Sequence, residues 1–161
     1  MDDSRDVTQA DADELATDPA TVRAKAIKLL ARREHAHAEL VSKLTSRGFD
    51  HDTSEAVVDD LAAEDLQSES RYAEAMVRDR VRRGKGPMQI RADLNAAGCD
   101  REIAEHAIAD ADVDWTELAT SVRAKKFGKA PPGDRHMQAK QTRFLQRRGF
   151  DGDAIRAALK D

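Results

Sequence analysis

Apolar residues recur along this chain at the three-and-four spacing of an amphipathic helix, and no stretch shows the sustained alternation of a half-buried strand. Val22, Ala26, Leu29 and Leu30 form one such stripe, opened by Asp18 and Pro19. Tyr72, Met76, Val77 and Val81 form another, which stops at Gly84-Lys85-Gly86. Pro87 then stands where the first turn of a new helix tolerates proline, because the N–H it lacks would have no intrahelical partner there. The pattern predicts an all-α protein.

The same pattern repeats. Leu44 to Asp50, Leu94 to Asp100 and Leu145 to Asp151 align on Gly48, Gly98 and Gly149, which lie 50 and then 51 residues apart. Ten positions after each glycine an apolar residue returns (Val58, Ile108, Leu159), and eight positions before it stand Leu40, Ile90 and, in the third copy, Gln141. A glycine that closes a helical stripe and is followed two residues on by Asp predicts a left-handed C′ residue and then an N-cap, hence a helix, a tight turn and a helix. A further helical segment precedes each pair. The expectation is three tandem three-helix repeats, at residues 21–67, 68–114 and 115–161, in an elongated, curved array in which neighbouring small cores support one another. Trp115, near a boundary, is expected to wedge between the second and third repeats.

Composition fits small aliphatic cores: charged residues make up 36% of the chain and aromatics only 4%. Charge is striped. Residues 1–20 hold seven acids against Arg5, and a segment so polar is expected to be disordered. From Thr21 to Phe49 there are seven bases and two acids; from Asp50 to Ser70, eight acids and no base. Arg71 to Arg91 again carries seven bases against two acids, and Arg123 to Arg148 nine bases against Asp134. First and second helices should therefore present cations, and third helices acids.

No apolar run reaches the roughly 20 residues of a membrane span, and the acidic start is unlike the basic n-region of a signal peptide. A cytoplasmic protein is expected, with Cys99 an ordinary packed residue in a reducing compartment. His35 and His37 point to different sides of a helix and no His-Glu-x-x-His occurs, so no metal is expected. Gly84-Lys85-Gly86 lacks the Walker spacing and reads as a helix break. No nucleophile and base stand in a recognisable arrangement, so the chain is not expected to be an enzyme or to need a cofactor.

In the middle repeat, Leu66-Gln67-Ser68, Arg71-Tyr72-Ala73, Val77-Arg78, Arg80, Gly84-Lys85-Gly86-Pro87, Ile90, Leu94 and Gly98 resemble the signature of the RecX family, regulators of the RecA recombinase. Arg143-Phe144-Leu145-Gln146-Arg147-Arg148-Gly149-Phe150 with Ile155 resembles the end of that family, and Glu39-Leu40, Leu44 and Gly48 fit its beginning. The likeness runs from about Val22 to Asp161. Two departures stand out: Ser68 replaces an Asp, and Ala36 a Ser helix cap whose loss is worth about 1 kcal/mol. The resemblance implies a protein that binds the groove of RecA filaments on single-stranded DNA and dampens ATP hydrolysis, strand exchange and co-protease activity.

The candidate contact residues are the cations. They are Lys25, Arg32 and Arg33 in the first repeat. In the second they are Arg78, Arg80, Arg82, Arg83, Lys85 and Arg91, and in the third Lys125, Lys126, Arg143, Arg147 and Arg148. A solvated face would keep such helices soluble, but seven bases to two acids is too biased for a mixed surface and suits phosphates or an acidic groove. The acidic third helices should repel duplex DNA, so a monomer on a RecA filament, with at most weak single-stranded DNA contact, is the favoured reading. A direct DNA-binding regulator of helix-turn-helix type is the alternative.

Overall fold

The computed structural model describes residues 9–160, and among these it shows ten helices and no strand. The all-helical expectation holds. The chain divides into two compact units, residues 1–72 and 73–161.

The first unit contains α1 (Gln9–Thr17), α2 (Pro19–Leu30), α3 (His37–Thr45) and α4 (His51–Ala63). Asp18 caps α2 by accepting the Thr21 amide at 3.0 Å, ahead of Pro19. The turn between α3 and α4 is the expected one: Gly48 has φ +92°, and the Asp50 carboxylate accepts the Thr53 amide at 2.9 Å. These turns fold α2, α3 and α4 onto one core in which Val22, Leu40, Leu44, Val58 and Leu61 are wholly buried. Each such side chain contributes about 1.5–3 kcal/mol by leaving water.

Two features of this unit were not expected. The acidic segment 1–20, expected to be disordered, is helical from Gln9 to Thr17. Three alanines favour the helix, Asp11 sits in its positive first turn, and the Ala16 carbonyl accepts the Asp50 amide at 2.9 Å. Residues 1–8 of that expectation lie outside the described residues. Ala36 indeed provides no side-chain cap for α3, but Glu69, thirty-two residues on, accepts the orphan His37 amide instead.

The second unit contains the greater part of α5 (Glu69–Arg82), then α6 (Pro87–Ala96), α7 (Arg101–Asp110), α8 (Trp115–Phe127), α9 (Arg135–Arg148) and α10 (Gly152–Ala158). The turn chemistry recurs, with Gly98 at φ +83° and Gly149 at φ +89° followed by the caps Asp100 and Asp151. Val77, Ile90, Leu94 and Ala104 are buried in its first half. In its second half α8, α9 and α10 close around Ala119, Leu145, Phe150 and Ile155. Trp115, expected between the second and third repeats, packs against this third core.

The third repeat differs from the others at a pair of buried positions. Val22 and Leu40, Tyr72 and Ile90, and Arg123 and Gln141 each stand eighteen residues apart, and all six are buried. Where the first two repeats use apolar residues, the third buries Arg123, only 1% exposed. Its guanidinium donates to the carbonyls of Ala130 and Lys129 at 2.9 and 3.2 Å and to Gln141 at 3.5 Å, holding the loop between α8 and α9. This explains why Gln141 breaks the apolar pattern in the sequence.

Candidate interaction surface

The structure sorts the expected cations by what each side chain touches. In the first unit Arg33 is tied to Glu39 and to the Glu34 carbonyl, Lys25 is half-buried and Arg32 is exposed. Arg80 is held by Asp93, at 2.6 Å, and by Asp79, at 2.8 Å. Arg91 is held by Glu105, with one Nη2 to Oε2 distance of 3.0 Å. Burial pushes the Asp93 carboxyl up, but hydrogen bonds from Arg80 and Gln89 outweigh it and leave it below the usual carboxylate value. The Arg91 hydrogen bond lowers Glu105 likewise. Arg80 and Arg91 thus brace the helices of the second repeat.

Five other cations converge. Arg82 and Arg83 at the end of α5, Lys125 and Lys126 in the last turn of α8, and Arg148 at the end of α9 line one open cleft of about 450 Å³. The convergence has a local cause and a tertiary one. Cations are favourable in the last turn of a helix, where carbonyls without partners leave a partial negative charge. The fold then brings three such ends together. No carboxylate lines the cleft; Val81, Leu118, Val122 and Phe144 form its apolar floor.

Arg82 and Arg83 are 78% and 67% exposed and share Asp79 behind the cleft. Arg148 is the most constrained of the set. Its guanidinium lies 5.3 Å from the centroid of the Phe144 ring and donates to the Arg83 carbonyl at 2.8 Å. Phe127 meets the same ring edge to face. Arg78, Arg143 and Arg147 are exposed outside the cleft, and Lys85 is half-buried. Charge follows the same division: residues 73–161 carry eighteen Lys and Arg against fourteen Asp and Glu, net +4, and residues 1–72 nine against seventeen, net -8.

The apolar floor escaped sequence reasoning because Val81 read as an ordinary core-stripe residue and nothing in the sequence sets Val122 and Phe144 beside it. Tyr72 is buried, as a core role requires. Among the described residues, one trio with metal-ligand chemistry, His51, Asp52 and Glu55, brings ligand atoms within 4.8 Å, all of them exposed. No helix of the described residues is long and apolar enough to cross a membrane.

Fold and surface together define a protein of tandem three-helix domains with a cationic cleft in its second unit. Domain models described as the first, second and third three-helix domains of RecX match residues 23–61, 68–108 and 112–159. The chain belongs to the RecX family. It is 45% identical over 137 residues to the Regulatory protein RecX of Halorhodospira halophila, covering 85% of each chain. It is 44% identical over 145 residues to that of Chromohalobacter salexigens, covering 90% of this chain and 95% of the relative. The crystal structure of RecX from Lactobacillus salivarius superposes with a TM-score of 0.73 at 25% identity, covering 88% of this chain and 94% of that one.

Proposed function

We propose that this chain binds the RecA recombinase filament on single-stranded DNA as a monomer and dampens its ATP hydrolysis, strand exchange and co-protease activity by occupancy, without chemistry of its own. Membership of a family of regulatory proteins supports the class of function. The observation that carries the contact is the convergence of Arg82, Arg83, Lys125, Lys126 and Arg148 on one cleft. Cations around a hollow that no carboxylate lines attract phosphates and acidic protein surfaces and speed encounter with them. Arg80 and Arg91, committed to Asp93 and Glu105, serve by holding α5, α6 and α7 in place.

The test is DNA-dependent ATP hydrolysis by RecA titrated with the chain. Replacing Arg82, Arg83, Lys125 and Lys126 together by Ala should leave helicity unchanged and raise the concentration needed for half-inhibition by about tenfold or more, the loss of a few exposed charge contacts. Unchanged potency would move the contact elsewhere. The second reading, a direct DNA-binding regulator, draws on the tight turn at Gly48 between α3 and α4. Sequence-selective duplex binding without affinity for RecA would establish it instead.

A further inference from the structure

A second hollow, of about 680 Å³, lies in the same unit and shares Val81 and Arg82 with the cationic cleft. Of the aliphatic residues in its lining, Val81 and Val113 are partly exposed and Val77 and Ala107 are buried, and through Val81 the two hollows join in one track. The ends of the track differ in charge. Lys125, Lys126 and Arg148 stand at one end with no acid beside them, whereas Glu74 and Asp110 flank Arg78 at the other.

We infer that this track is a docking groove for an acidic amphipathic segment of a partner protein, with apolar side chains on the aliphatic floor and carboxylates against Arg82, Arg83, Lys125 and Lys126. A continuous apolar hollow with charged walls is the surface into which an amphipathic helix or extended segment lays its apolar face. The uneven wall sets polarity: the partner's acids belong at the α8 end, and its neutral or basic residues beside Glu74 and Asp110.

The floor decides between a peptide and single-stranded nucleic acid. Strand-binding grooves draw much of their affinity from bases stacked on aromatic faces. The aromatic residue on this floor, Phe144, already holds the Arg148 guanidinium over its ring and meets Phe127 edge to face. Val81, Leu118 and Val122 present instead the kind of surface that receives Leu, Ile or Phe side chains.

Fluorescence anisotropy on the full chain tests this. The probe is a labelled helical peptide of about 14 residues with Leu on one face and Asp or Glu on the other. Its controls are the same peptide with every Leu replaced by Ser, and a thymidine oligonucleotide of equal length. The Leu peptide should bind at least about tenfold more tightly than the Ser peptide, because the floor rewards apolar groups. Lys125→Glu with Lys126→Glu should weaken it by about tenfold or more, and Ser121→Trp, at the exposed rim, should block the hollow without altering helicity. Equal binding of the Leu and Ser peptides would reduce the site to undirected charge attraction. Tighter binding of the oligonucleotide, lost in the same variants, would make it a nucleic-acid site, and peptide binding unaffected by either variant would place the groove elsewhere. No filament is present in this titration, so this assignment and the filament reading can fail separately.

Discussion

A methyl group on Gly86 would lie 2.4 Å from the carbonyl oxygen of Gly149. The two glycines, sixty-three residues apart, let the backbones of the α5–α6 and α9–α10 turns touch. The Gly86 amide donates to the Arg148 carbonyl at 2.7 Å, and the Met88 amide to the Gly149 carbonyl at 3.0 Å. The same junction seats Arg148 against the Arg83 carbonyl and so shapes one side of the cationic cleft.

Gly86→Ala should therefore destabilise the second unit by about 2–3 kcal/mol, since the added carbon meets backbone that cannot turn aside. Gly149→Ala should be at least as damaging, because its methyl group would meet the Gln89 amide nitrogen at 2.4 Å and its φ is +89°. Gly48→Ala is the control: it has open space at the equivalent turn and should lose only about 1 kcal/mol of left-handed strain. Urea midpoints would rank the three. Equal losses at Gly48 and Gly149 would show that the junction is not tightly packed.

Glu69 takes the place of the side-chain cap that Ala36 cannot provide. Glu69→Ala should cost about 1 kcal/mol, the usual worth of an N-cap, and Ala36→Ser should recover most of it in that background. If Ala36→Ser stabilises the parent chain as much as the Glu69→Ala variant, the carboxylate is not capping α3.

Arg123 and Gln141 should behave as a unit. Gln141→Leu alone removes an acceptor from a buried guanidinium and should destabilise by about 1–3 kcal/mol. Arg123→Val alone leaves Gln141 buried and frees the carbonyls of Lys129 and Ala130, with a comparable loss. The double variant recreates the apolar pair of the first repeat, so its loss should be smaller than the sum of the two. Strict additivity in a double-mutant cycle would count against the coupling.

Acid should weaken the second unit through Asp93 and Glu105. Both carboxyls lie below their ordinary values of 3.8 and 4.5 in the folded chain. The unfolded chain then binds more protons than the folded one in the window beneath those values. The stabilisation is present above the ordinary values and is lost as pH falls through the depressed folded ones. Urea midpoints measured between about pH 6 and about pH 3 should fall, and fall less steeply in Arg91→Ala, which removes the partner of Glu105. Identical slopes would show that Glu105 draws no stability from Arg91.

Local physics made most of the architecture readable from the residues alone. Stripes such as Val22, Ala26 and Leu29 mark helices because neighbours three and four apart share a face, and Gly48, Gly98 and Gly149 mark turns because only glycine takes positive φ without strain. The Asp caps follow from the same short range, and the threefold repeat is a property of spacing. What lay beyond the sequence were contacts between distant positions. Which arginines are spent on Asp93 and Glu105, which acid caps α3, why Gln141 is buried, and how three helix ends gather five cations over an aliphatic floor all depend on where the chain returns in space. A side chain's partner is set by that return, and neither charge nor periodicity along the chain encodes it.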